Sequence, residues 1–161
     1  MLKACDLGGF FAAHTLWSIS DSDGTLVPIL VYTTEQGERK MERLLCEDIQ
    51  TSVDLGRTKL TSNPMDANDA ALIFLGSMTI EQRKTEAIFI ELKSYFSPGS
   101  EATLAVPYRR AESNQFRVFQ PKILQWENCE DFELNQAMGC FFEGVDDHRE
   151  GSAIWLKALA E

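Results

Sequence analysis

Apolar residues recur at helical spacing in four segments of this chain. A spacing of three and four residues places them on one side of a helix, where they cover a core. The predicted helices cover residues 7–19, 47–62, 134–141 and 154–159. A polar break with Gly24 ends the first helix, and another at residues 146–151 separates the last two.

Elsewhere the apolar period falls to two, which is typical of strands. The predicted strands cover residues 26–32, 39–46, 71–80, 85–96, 104–108 and 116–126. The first two form a hairpin around residues 35–38. The other four are joined by short polar turns at 81–84, 97–100 and 112–114. Tight turns connect antiparallel strands, so these four form a meander.

Together these elements predict an α+β fold of order α-ββ-α-ββββ-αα. An antiparallel sheet, made of the hairpin plus the four-strand meander, is covered by helices on the open face of the meander. Residues 1–161 suit one globular domain, because domains typically run to about 100–150 residues.

The strand at residues 26–32 is almost wholly apolar and contains Pro28. Proline cannot donate a hydrogen bond to a neighbouring strand, so this strand lies at an edge of the sheet or begins at Pro28. A long apolar edge must be covered or paired. We therefore expect a homodimer, or a partner protein, at this edge.

Charge narrows the possible partners. The chain carries 25 acidic and 15 basic residues, a formal net charge of −10. The charge is −5 over residues 1–70, +2 over 71–126 and −7 over 127–161. This balance excludes a general nucleic-acid binder and favours a basic protein partner. No apolar run approaches the ~20 residues of a membrane helix, and no export signal is visible, so we expect a cytoplasmic protein.

The four cysteines, at positions 5, 46, 129 and 140, form no CxxC pair and no close His/Cys spacing of the kind that zinc sites use. We therefore predict no metal, no cofactor and reduced thiols. Cys46 and Cys140 lie on apolar faces and are expected in the core.

The densest set of chemically active residue types is the acidic run at residues 146–150 around His148. His148 and Asp147 are candidate catalytic residues, because an imidazole beside a carboxylate can act as a general acid or base. The alternative is a solvated loop whose acids stabilise the start of the last helix.

The second histidine, His14, lies on a helix face with Phe10 and Trp17. It is either a hydrogen-bonded core residue or a catalytic partner of His148. Pairing of the two histidines requires the first and last helices to be neighbours.

A positive cluster lies on the last hairpin of the meander. Tyr108, Arg109, Arg110 and Arg117 are candidate ligand-binding residues, with Lys122 nearby. We expect Arg110 and Arg117 to approach each other, and two like charges tolerate this only with an anion between them. That anion is a ligand carboxylate or phosphate, an acidic patch of a partner, or the protein's own acidic C-terminal segment.

No GxGxxG, P-loop, HExxH, GxSxG or EF-hand motif is present. The sequence therefore favours a non-enzymatic, acidic, cytoplasmic protein-interaction or accessory domain. The alternative is a small enzyme or ligand-binding protein that uses the His/Asp cluster, with the arginines orienting an anionic small molecule.

Overall fold

Four helices pack on a sheet of seven antiparallel strands in the part of the chain that the computed structural model describes, residues 1–20, 26–110 and 116–159. The helices are α1 (Leu2–Ser20), α2 (Ile49–Ser62), α3 (Asp131–Asp147) and α4 (Arg149–Ala158). The strands are β1 (Ile29–Thr33), β2 (Arg39–Arg43), β3 (Asp69–Ile80), β4 (Arg83–Ser94), β5 (Glu101–Arg110), β6 (Phe116–Val118) and β7 (Lys122–Glu127).

This architecture confirms the predicted α+β class and the order of its elements. The last predicted strand is interrupted near Pro121, and its two parts, β6 and β7, both pair with β5. Proline has no backbone N–H for a strand ladder, which accounts for an interruption at this point. The predicted turns at residues 21–24 and 112–114 lie outside the described residues.

The strands follow the order β2-β1-β3-β4-β5, with β6 and β7 beside β5. The expectation of an edge at residues 26–32 is therefore wrong, because β1 pairs with β2 on one side and with β3 on the other. The strand instead begins directly after Pro28, which was the other possibility. Since both sides of β1 are hydrogen-bonded, β1 offers no free strand edge to another chain, and the charged strand β2 is the edge.

Helices cover both faces of the sheet rather than one. Ile29 and Val31 of β1 point into the core shared with α1, α3 and α4, whereas Leu30 packs with Val53 and Leu60 of α2. Successive strand residues point to opposite faces. A strand that is buried on both faces is apolar at every position, and β1 has this pattern.

Glycines let α1 and α3 approach until their backbones touch. A methyl group at Gly9 would lie 1.8 Å from the carbonyl oxygen of Phe141, and one at Gly144 would lie 1.9 Å from that of Asp6. No other residue fits these positions without a shift of a backbone. This contact fixes the end of α3, and with it His148, against α1.

Candidate functional site

The two histidines meet where α1, α3 and α4 come together. His14 lies on α1, and His148 is the single residue between α3 and α4. The distance from His14 Nδ1 to His148 Nε2 is 3.2 Å, although 134 positions separate the two residues. The first and last helices are thus neighbours, as a histidine pair requires. A catalytic role for either residue remains a prediction.

The hydrogen bonds of His148 fix the protonation of both rings. The backbone N–H of Gly151 donates to His148 Nδ1 at 3.0 Å and so caps the start of α4. A nitrogen that accepts carries no proton, so the proton of neutral His148 is on Nε2 and donates to His14 Nδ1. His14 then carries its own proton on Nε2. With both rings neutral, Gly151 donates to His148 and His148 donates to His14.

Aromatic rings enclose the histidine pair on its inner side. The ring of His148 lies 5.1 Å from Phe10 and 5.8 Å from Trp17, and only 7% of the residue is exposed. Burial lowers the pKa of His14, and the neighbouring His148 and the positive charge of Arg43 lower it further. His14 is therefore uncharged at neutral pH.

The predicted pairing of His148 with Asp147 is not formed. Asp147 instead contacts Arg39 at 3.0 Å, and Arg39 also contacts Asp6 at 3.3 Å and lies 4.1 Å from the centre of the Phe10 ring. Among the described residues, no carboxylate accepts a hydrogen bond from either imidazole. Glu150 Oε2 lies 3.9 Å from His148 Nδ1, beyond hydrogen-bond distance, so neither imidazole of the described residues has the hydrogen-bonded carboxylate of a hydrolytic triad.

The four candidate ligand-binding residues of the last hairpin do not converge. Tyr108 is buried in the core and stacks on Phe116. The expectation for Arg110 and Arg117 is wrong, because Arg117 lies opposite Arg109 in the β5–β6 register. Adjacent strand residues face opposite sides. Arg110 accordingly turns the other way and donates to the carbonyl of Ile19 near the end of α1.

All four cysteines are free thiols in the structure. The predicted core position of Cys46 is wrong, since its side chain is exposed beyond the end of β2, and Cys140 is only half-buried. Cys5 is the buried one, and burial raises its pKa to about 12. The described residues contain no group of three or more His, Cys, Asp or Glu side chains that could hold a metal ion.

An apolar groove beside the end of β2 was not predicted. Residues 26–28, 44–49 and Ser52 line it and enclose about 240 Å³; we call it the Leu45 groove. Leu45 is 76% exposed and Ile49 is 60% exposed. The sequence contains a signal for this groove. The apolar pair Leu44-Leu45 follows the alternating residues of β2, and Ile49 is the first residue of α2. Burial is the usual interpretation of such residues; it holds for Leu44 and is wrong for Leu45 and Ile49.

Two carboxylates border the Leu45 groove. Asp48 caps α2 by accepting the backbone N–H of Thr51 at 2.7 Å, and this hydrogen bond lowers the pKa of Asp48. Glu47 also lines the groove, and its described lining includes no lysine or arginine. The groove is thus apolar with a negative border.

Two other cavities are dominated by charges of the protein itself. One, of about 350 Å³ beside α2, contains the ion pairs Arg57–Glu91 and Lys93–Glu101. The other, of about 510 Å³, lies between the start of α1 and the β1–β2 turn. Asp69 lines it, and burial raises the pKa of this carboxyl.

No family model matches the chain, and neither the curated proteins nor the solved structures contain a significant match. None of the helices in the described residues is long and apolar enough to cross a membrane.

Proposed function

We propose that this chain is a non-enzymatic, cytoplasmic protein-interaction domain that binds a basic, apolar segment of a partner protein in the Leu45 groove. The observation that carries the proposal is the joint exposure of Leu45 and Ile49 in one concave surface. Exposed apolar residues scattered singly are ordinary, whereas apolar residues that line a common groove mark interaction sites.

The shape of the groove supports a peptide rather than a small molecule. At about 240 Å³ it is smaller than the roughly 300–1,000 Å³ of typical ligand pockets, and it is open along one side. It holds one or two aliphatic side chains of a passing chain. Leu44 also lines the groove and is buried, so the groove is continuous with the core beside α2.

The charge of the groove selects a basic partner. Glu47 and Asp48 stand on its border, and the hydrogen bond to Thr51 keeps Asp48 ionised at neutral pH. The net charge of −10 attracts a cationic segment from a distance. Such steering raises the association rate and weakens with added salt.

A peptide titration tests the proposal. The probe is a synthetic peptide in which leucine alternates with lysine, and the control peptide has glutamate in place of lysine. We expect the lysine peptide to shift the backbone NMR signals of residues 44–49 and to bind more weakly at high salt. Equal binding of the glutamate peptide, or binding that salt does not change, contradicts the charge argument.

Matched variants locate the binding surface. Leu45→Asp should abolish binding, and Leu156→Asp should leave it unchanged, because Leu156 is 70% exposed on α4 outside the groove. Circular dichroism checks that both variants fold. Equal losses in the two variants contradict the groove. Light scattering over a range of protein concentrations would reveal a second copy of the chain as the occupant instead.

A second candidate function is a small enzyme or ligand-binding protein for an anionic molecule. The contact between His14 and His148 favours it, and Arg43 supplies the nearby cation in place of the hairpin arginines. Ligands that bind the native state raise its stability. Inorganic phosphate and citrate should therefore raise the melting temperature of the wild type but not of His14→Ala; no rise in the wild type contradicts this function.

A further inference from the structure

We propose that His14 and His148 form an acid-sensitive latch that holds the start of α4 against α1. The inference does not depend on the Leu45 groove. It rests on two hydrogen bonds that share one ring: Gly151 N–H to His148 Nδ1 at 3.0 Å, and His148 Nε2 to His14 Nδ1 at 3.2 Å. One bond caps α4, and the other joins α4 to α1.

A single proton taken up from solvent breaks one of these bonds, whichever ring receives it. Protonated His14 carries hydrogens on both nitrogens, so its Nδ1 no longer accepts from His148. Protonated His148 carries a hydrogen on Nδ1, which no longer accepts from Gly151. His148 cannot escape by changing tautomer, because the other tautomer also places a hydrogen on Nδ1. The latch therefore exists only while both rings are neutral.

The charged groups around the two histidines determine how the pair responds to a fall in pH. Arg43 of β2 opposes a positive charge on His14, and Asp147 of α3 is occupied by Arg39 of β2. On α4, Glu150 Oε2 lies 3.9 Å from His148 Nδ1. The contacts from α1 are aromatic rings without charge. Glu150 thus offers the protonated His148 an alternative partner, and that ion pair forms in place of the cap on Gly151.

At the latch, the start of α4 lies against the backbone of α1. A methyl group at Gly151 would lie 2.3 Å from the carbonyl oxygen of Ala13, the residue before His14. Further along α4, Trp155 is buried against Phe141 and Phe142. Release of the latch therefore loosens the first turn of α4, while the buried rings hold its second half.

The start of α2 is an internal control for this proposal. Asp48 caps α2 through Thr51 N–H, and its lowered pKa keeps it ionised well below the range in which histidine titrates. Both caps accept a backbone N–H through a side chain. Only the cap on α4 should respond between pH 7.5 and 5.0.

Amide hydrogen exchange tests the latch in the unmodified protein. Exchange at pH 7.5 and 5.0 is corrected for the intrinsic rate at each pH. We expect the protection of Gly151 to fall about fivefold or more at pH 5.0, since loss of a cap typically costs about 1 kcal/mol. The protection of Thr51 should stay constant. No fall at Gly151, or an equal fall at both amides, overturns the proposal.

A second measurement needs no variant either. The ¹⁵N shifts of the two imidazoles at pH 7.5 report which nitrogen carries the proton, and we expect Nε2 in both rings. An Nδ1-protonated ring at either position overturns the latch.

Variants separate the latch from a general effect of acid. His148→Asn keeps an oxygen that can cap α4 but does not titrate, so the protection of Gly151 should become independent of pH. Asp48→Asn is the matched change at the start of α2 and should leave the pH response of Gly151 as in the wild type. A pH response that persists in His148→Asn contradicts the proposal.

Discussion

The two faces of the sheet are packed in different ways. On one face, α1 and α3 touch through their backbones at Gly9 and Gly144. On the other face, a methyl group at Gly56 of α2 would meet only side-chain atoms, Leu72 Cδ1 at 2.4 Å and Leu44 Cδ1 at 2.8 Å. A leucine side chain can rotate away, whereas a helix backbone cannot. The packing of α1 against α3 is therefore rigid, whereas the packing of α2 on the sheet can adapt.

The histidine pair and the Leu45 groove differ in the same way. The histidine pair lies within the rigid layer, where a hydrogen bond at 3.2 Å between distant residues needs fixed helices. The Leu45 groove lies beside α2 and shares Leu44 with the adaptable core. A surface that accepts a varied peptide benefits from neighbours that can move. A site that depends on the direction of a single hydrogen bond needs neighbours that stay fixed.

The largest expected difference between the faces comes from Gly144→Ala. The added methyl group would overlap the Asp6 carbonyl, so we expect a loss of about 3 kcal/mol in the free energy of unfolding, the upper end for overpacking. Urea denaturation measures it. Gly139→Ala is the control on the same helix, because a methyl group there meets nothing within 4 Å and should stabilise the protein by about 0.5–1 kcal/mol. Similar results for the two variants contradict the rigid layer.

Gly56→Ala should cost less than Gly144→Ala. The leucine side chains near Gly56 must shift, at a cost of about 1–2 kcal/mol, but alanine gains about 1 kcal/mol of helix propensity. The net loss by urea denaturation should be about 1 kcal/mol or less. A loss as large as that of Gly144→Ala would show that the α2 face is no more adaptable than the other.

Asp69→Asn should produce a smaller change of opposite sign. Asp69 is buried at the start of β3 on the rigid face, and burial raises its pKa above 3.8. A raised carboxyl pKa favours the folded state at acid pH, and this contribution is lost as the pH rises through the folded pKa. Asp69→Asn should thus be more stable than the wild type at pH 7.5. The gain should disappear by pH 3.5 in thermal melts, and a gain independent of pH contradicts the titration of Asp69.

Leu45→Ala should have the smallest effect on folding. Its side chain is 76% exposed, and surface substitutions usually change the free energy of unfolding by no more than about 0.5 kcal/mol. A larger loss in urea denaturation would mean that Leu45 supports the α2 core, and that it is not free to bind a partner.

Much of the fold could be predicted because its signals are local. The period of two in β3, β4 and β5 comes from the alternation of their own side chains, and short turns require antiparallel pairing. The predicted helix begins at residue 7, whereas α1 begins at Leu2, and Ala4 and Cys5 in this first part are both buried. The stripe of Phe10 and His14 covers only part of a helix that is apolar on most of its circumference.

The candidate site could not be predicted from local sequence patterns, because it depends on contacts between residues that are far apart in the chain. The contact of His14 with His148 follows from the packing of α1 against α3 and α4, far apart in the chain. The pairing of Arg117 with Arg109 depends on strand register, and a shift of one residue moves a side chain to the other face. Cys46 was placed in the core by its apolar neighbours, but β2 ends at Arg43 and the alternation ends with it.

The packing of α1 against α3 and α4 also has a consequence for synthesis on the ribosome. Chains emerge from the N-terminal side at about 5–20 residues per second. The α1 helix, whose buried residues need α3 and α4 as cover, is therefore made long before its partners. The β-hairpins can form as they emerge, but α1 exposes apolar surface until the last two helices arrive. Premature termination before α3 should thus yield an aggregating product, and a chaperone that binds nascent chains would find its target in α1.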